Sequence, residues 1–167
     1  SFLKVAALGA AAMGLQGRTN AAETIQGFEK TATDPQASRG WKPVSDRRIR
    51  VGIVGYGVCS FGAAFSFQDH PNVEIVAVSD LIPERCQELA QVCRCAKTYP
   101  SLEEMVKDDR IEAIFVATDA PSHARHCLLV LQHGKHVATA VPAVWEQLEV
   151  ADALYETVKK SGLKYMM

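Results

Sequence analysis

From residue 49 onward, short apolar runs alternate with amphipathic segments, and this alternation constrains the fold more than any other feature of the 167-residue chain. The runs 49–54, 73–78, 113–117 and 135–139 are mostly rich in β-branched residues, as parallel strands buried on both faces are. Helical patterns fill 58–68, 83–92, 101–107 and 121–132 between them. Pro83 and Pro121 suit a first helical turn, "SLEE" from Ser101 is a capping box, and Gly134 follows a helix end. A short strand over 96–99 and another beginning in "LKYMM" complete the alternation. The last helix, 145–160, sets Leu148, Ala151, Leu154, Tyr155 and Val158 on one face, and closes on Lys159 and Lys160, where the helix dipole favours cations. Connections this short imply an α/β architecture, a doubly wound parallel sheet with right-handed crossovers. In such a sheet, ligands bind beyond the carboxyl ends of the strands, where the winding reverses.

The first strand runs into "GYGVCSFG". Gly55 makes the tight turn, and Gly57 lets the backbone approach a pyrophosphate held by amides near Val58 and Cys59. The third glycine of this fingerprint is Ser60 here, small enough for helix to pack on strand, with Gly62 relieving crowding nearby. The second strand, "VEIVAVSD", ends in Asp80, at the distance expected for a carboxylate that accepts hydrogen bonds from the adenosine ribose. Such a carboxylate repels a 2′-phosphate, so NAD is favoured over NADP. Arg85 softens that preference, stacks on the adenine, or is a solvated helix residue. The sequence therefore reads as a dinucleotide-binding Rossmann domain over 49–167.

The segment before it differs in kind. Lys4 precedes an apolar, small-residue run from Val5 to Leu15, and Thr19 and Ala21 are placed like a cleavage site. Residues 1–22 read as an export signal, too short to span a bilayer, or as an Ala-rich helix packed on the domain. "SFLK" is similar to the tail of the twin-arginine motif, which points to a periplasmic or exported protein; without export the chain is cytoplasmic. Residues 23–48 form a polar arm with Pro35, Gly40 and Pro43, in which Trp41 pins the arm to the domain or to a neighbour. A net charge of −1 supplies no broad attraction to nucleic acid or to an anionic membrane. The five cysteines lack finger-like spacing and read as buried thiols rather than metal ligands.

These residues together resemble the N-terminal domain of the Gfo/Idh/MocA oxidoreductase family. Besides Gly55-x-Gly57 and Asp80, "VATDAPSHA" is similar to the family's Ala-Thr-Pro-Asn-x-x-His pattern, with Ala117, Thr118 and His123 in register, and "GKHV" at 134–137 is similar to the run that leads into Glu-Lys-Pro. The resemblance implies that Ala117, Thr118 and His123 join Gly55, Gly57, Val58 and Asp80 in the cofactor site. It also implies hydride transfer between a nicotinamide dinucleotide and a sugar, polyol or related hydroxyl compound, or the net hydrolysis carried out by NAD-dependent glycosidases of the family. A C-terminal α/β substrate domain, carrying further catalytic residues and homo-oligomer contacts, is missing from this chain, so the fragment alone is expected to bind cofactor without turnover.

The pattern breaks at its catalytic point. Where the family has Glu-Lys-Pro, this chain has Ala140, Val141 and Pro142. A valine takes no proton, so the catalytic residue is unknown from sequence. Asp119 and His123 are the local candidates, Asp119 being a compensating base or simply a turn residue. The alternative is a non-catalytic dinucleotide-binding subunit.

Overall fold

The computed structural model describes residues 40, 42–43, 45–57, 59–145 and 148–167. The expected export signal, most of the arm including Trp41, and Val58 lie outside these residues.

Six strands form one sheet: β1 (Ile49–Val54), β2 (Val73–Ser79), β3 (Thr98–Tyr99), β4 (Ala113–Val116), β5 (His136–Thr139) and β6 (Tyr165–Met166). Their order is β3-β2-β1-β4-β5-β6, every pairing is parallel, and the winding reverses between β1 and β4. The expected doubly wound sheet is present. Side chains alternate between its two faces. Ile114 and Val116 of β4 join one core with Leu102, Met105, Val130 and Leu154, while Phe115 and Ala117 join the other with Ile53, Val78, Cys86 and Leu89. Each such fully buried aliphatic side chain stabilises the fold by roughly 1.5–3 kcal/mol. The β-branched run of β4 is therefore apolar throughout, because it has no solvent face.

The helices are α1 (Phe61–Ala64), α2 (Pro83–Val92), α3 (Leu102–Met105), α4 (His123–Gln132) and α5 (Leu148–Ser161). α2 matches its expected span, and Ser101 caps α3 by accepting from the Glu104 amide at 3.4 Å. The helix expected over 58–68 is not continuous. It is a single turn, α1, followed by a 3-10 turn at Phe67–Asp69, with left-handed Ser60 and Ser66 at the breaks. Aromatic packing explains the break. An unbroken helix would turn Phe67 about 200° away from Phe65. With Ser66 left-handed, both rings reach Phe115, at centroid distances of 5.4 and 5.1 Å.

Two further expectations are corrected. The segment over 121–132 is split into a 3-10 turn at Ala120–Ser122 and then α4. On α5 the inward line runs through Ala151, Leu154 and Val158, whereas Leu148 and Tyr155 are 80% and 65% exposed. α5's contact with α4 and the sheet sets its rotation, and at 100° per residue the inward line lies only about 30° from the centre of the expected stripe, enough to leave Leu148 and Tyr155 outside.

At the amino ends of the strands, Lys135 is buried and its Nζ donates to the carbonyls of Asp108 (2.8 Å) and Ile111 (3.0 Å). Tyr99 Oη donates to Asp108 Oδ2 at 2.8 Å, and Arg110 closes on both oxygens of the same carboxylate. Arg110 above all, with Tyr99, holds the Asp108 carboxyl far below the usual carboxylate range. This network ties the end of β3, through the Tyr99 side chain, to the turns that lead into β4 and β5.

Candidate functional site

A cavity of about 610 Å³ opens at the carboxyl ends of β1, β2 and β4, over the point where the winding reverses. Its β1 corner is built from backbone. Gly55 has φ 89°, and a Cβ there would lie 2.5 Å from the Ala117 carbonyl oxygen. No side chain fits, so strand β1 turns directly against the exit of β4. The amide of Gly55 donates to Ser79 O and that of Ala117 to Val54 O, both at 2.8 Å, which locks three strand ends together. Gly57 has φ 61° and open space around its Cβ position.

The third glycine of the fingerprint has moved. Ser60, in the expected position, is left-handed and half-buried. It is at Gly62 that a Cβ would meet the Gly55 carbonyl oxygen, at 2.4 Å. Close packing of helix on strand therefore rests on Gly62, and Ser60 only has to turn the chain.

Asp80 stands at the end of β2 with both oxygens engaged. The Tyr56 amide donates to Oδ2 at 2.8 Å and the Ile82 amide to Oδ1 at 2.9 Å. A carboxylate oxygen accepts more than one hydrogen bond, so the group is fixed in direction and keeps accepting capacity toward the cavity. Leu81, Ile82 and Arg85 line the wall beside it. Ser79 Oγ, buried in the floor between Gly55 and Asp80, has no hydrogen-bond partner among the described residues.

The β4 corner is built from side chains. Ala117, Thr118 and Asp119 line the cavity together with Glu103 of α3 and Ser122, Arg125 and His126. Thr118 Oγ1 lies 2.9 Å from His126 Nδ1, and Arg125 Nη2 lies 3.2 Å from His126 Nε2. Burial, then the neighbouring Arg125 cation, pushes the His126 pKa below the ordinary histidine value. Burial raises the Asp119 carboxyl, but the Ser122 hydroxyl donating to Oδ2 at 2.8 Å, backbone hydrogen bonds and His126 outweigh it, leaving the group below its ordinary value. Asp119 thus holds the turn geometry of a capping residue while facing the cavity.

His123 is not in the cavity wall. It is 2% exposed, with Nδ1 2.8 Å from Pro142 O and Nε2 2.9 Å from Thr118 O. Carbonyl oxygens only accept, so any ring proton is committed to the backbone and the side chain acts as a strut between the exits of β4 and β5. Pro142 follows a cis peptide bond, and Val141 is 68% exposed. Tyr56, Glu103, Arg125 and His126 were not singled out as site residues in the sequence. The Tyr56 contact is a backbone amide between the two glycines and was accessible in principle. The other three converge only through the placing of α3 against α4, for which no local pattern exists.

A parallel sheet in this order, with a glycine turn after β1, a fixed carboxylate after β2 and a cavity over the reversal, defines a Rossmann-type nucleotide-binding domain. Residues 49–167 match the Gfo/Idh/MocA model, described as an oxidoreductase family with an NAD-binding Rossmann fold, and the chain belongs to that family. It carries the family's NAD-binding domain. Glycosyl hydrolase family 109 protein 1 of Bacteroides fragilis is 34% identical over 122 residues, which is 68% of this chain and 26% of that protein. A trans-1,2-dihydrobenzene-1,2-diol dehydrogenase from Macaca fuscata fuscata is 34% identical over 120 residues, 71% of this chain and 36% of that one. Among solved structures, myo-inositol dehydrogenase from Lactobacillus casei, in complex with NAD(H) and myo-inositol, superposes with TM-score 0.60 at 26% identity, covering 68% of this chain and 34% of its own. The chain spans about a quarter of the glycosyl hydrolase relative's length. Among the described residues no helix is long and apolar enough to cross a membrane.

Proposed function

We propose that the cavity takes NAD, with the adenosine ribose at Asp80, the pyrophosphate over Gly55 to Gly57 and the nicotinamide half toward Thr118 and Asp119. The observation that carries this reading is the Asp80 carboxylate, held from behind by two amides and facing the cavity. Open space at Gly57 suits the same ligand. NAD is preferred over NADP, because a fixed carboxylate repels a 2′-phosphate; Arg85 lies along the adenine edge. Ala117 shapes the floor through its backbone, Val58 belongs to the phosphate turn, and His123 positions Thr118 rather than touching cofactor.

The whole protein acts on a sugar, polyol or related hydroxyl compound, and the dinucleotide supplies the hydride acceptor. Proton transfer is not provided by this wall. Val141 has no proton to exchange, Asp119 is held as a weakly basic carboxylate, and both nitrogens of His126 are engaged. The acid-base group therefore belongs to residues outside this chain, with substrate and oligomer contacts beside it. The glycosyl hydrolase relatives favour a second reading, transient oxidation leading to net glycoside hydrolysis. A dinucleotide-binding subunit without catalysis fits the valine equally. The leader reads as an export signal, which places the protein in the periplasm or outside the cell.

The test is a titration of the chain with NADH and, separately, NADPH, followed by reduced-nicotinamide fluorescence, with Asp80→Ala and Asp80→Asn alongside. Hydrogen bonds to a charged group contribute about 1.5–3 kcal/mol, so each variant should bind NADH about tenfold or more weakly and narrow the gap to NADPH. A folded chain that never saturates with either nucleotide would overturn the reading.

A further inference from the structure

The cluster formed by Thr118, Arg125 and His126 fixes the direction of a hydrogen bond. A guanidinium only donates, so Arg125 Nη2, 3.2 Å from His126 Nε2, requires that nitrogen to be the acceptor. The ring proton then sits on Nδ1, which faces Thr118 Oγ1 at 2.9 Å. A hydroxyl that accepts from Nδ1–H cannot also donate to it. Thr118 lines the cavity, so its own O–H proton is left to point there. Four charged or titratable groups face the ring: Arg125 and His123 from α4, Glu103 from α3 and Asp119 from the turn before α4. The donor chain runs one way, from Arg125 through His126 to Thr118 and into the cavity.

We propose that His126 is a positioning residue for the dinucleotide, holding Thr118 as an obligate hydrogen-bond donor to an acceptor oxygen of its nicotinamide half. This rests on the dinucleotide reading above. It explains why a histidine backed by an arginine stands behind a threonine that would otherwise donate or accept freely. It also assigns His126 and Arg125 to the set that controls affinity, although neither need touch the ligand.

Two measurements test it separately. Long-range proton–nitrogen correlation of the imidazoles in the free chain at pH 7.5 should show His126 with a protonated Nδ1 and a bare Nε2; the reverse tautomer would overturn the proposal without reference to any ligand. NADH titrations of Thr118→Val, His126→Ala and the double variant then read the coupling. Loss of one donor to a ligand oxygen should weaken binding about tenfold in Thr118→Val, about threefold to fivefold in His126→Ala, and no further in the double variant. His126→Asn, which returns an N–H near the Nδ1 position, should recover most of the loss. Additive losses, or Asn no better than Ala in a folded protein, would sink the positioning role. Failure of the parent chain to bind NADH would remove the dinucleotide reading and the ligand half of this proposal with it, while leaving the tautomer result to stand on its own.

Discussion

The two corners of the cavity are made of different material. At the β1 corner the shape comes from missing side chains: Gly55 and Gly62 let backbone approach backbone, Gly57 turns left-handed into open space, and Asp80 is held by amides. At the β4 corner it comes from side chains that contact one another, with His123 behind Thr118 and Arg125 and His126 beside it. Where backbone meets backbone, at Gly55 and Gly62, the corner tolerates no added atom but is indifferent to chemistry. A side-chain corner tolerates volume better and depends on which atom donates.

Substitutions should separate the two. The largest effect is expected for Gly55→Ala, which combines a left-handed backbone with a Cβ 2.5 Å from a carbonyl oxygen. Left-handed strain costs about 1–2 kcal/mol and overpacking about 1–3 kcal/mol, with the backbone unable to yield, so thermal unfolding should show a loss of about 4 kcal/mol or more, or no folded protein at all. His123→Ala should follow at about 2–4 kcal/mol, since it opens a hole in a buried site and takes the ring's N–H donor from a buried carbonyl. If it proves harmless, the β4 corner is not held by its strut. Gly62→Ala should cost about 1–3 kcal/mol by crowding Gly55 O. Ser60→Gly should instead stabilise by about 0.5–1 kcal/mol in chemical denaturation, because it removes left-handed strain where no close packing needs a side chain. Opposite signs at 60 and 62 would show that the glycine requirement has shifted.

The smallest effect belongs to pH. The folded His126 pKa lies below the ordinary value, so the unfolded chain binds this proton more readily. Stability from this source is complete above about pH 6.5 and falls as pH drops from there toward the folded value, then levels off. Denaturation midpoints of the parent and His126→Asn between pH 5 and 8 should converge in acid if that assignment holds.

What was legible in the sequence divides along the same line. The strand positions and the doubly wound class, the Gly55 turn and the Asp80 carboxylate follow from periodicity and from residues whose backbone demands are nearly unique. The break at Ser66 was hidden, because nothing local says that Phe65 and Phe67 both pack on Phe115, a strand residue about fifty positions on. The rotation of α5 was misread for a similar reason: Leu148 and Tyr155 extend an apolar stripe that the neighbouring helix does not cover. His126 was passed over because its meaning depends on Arg125 and Thr118 at once. Asp119 and Val141 were singled out by departure from a pattern. Departure marks a position without saying what chemistry fills it.

The shift of close packing from Ser60 to Gly62 changes the grammar by which such turns are found. A search that insists on glycine at fixed spacing treats the third position as a letter. In this chain it is a distance: somewhere on the helical turn after the loop, one residue must present hydrogen instead of carbon to the Gly55 carbonyl oxygen. Two residues of extra loop, made possible by a left-handed serine, satisfy that condition as well as the standard spacing does. Written as a distance, the rule admits loops of unequal length into one class, and it names the glycine that a directed-evolution library should leave untouched.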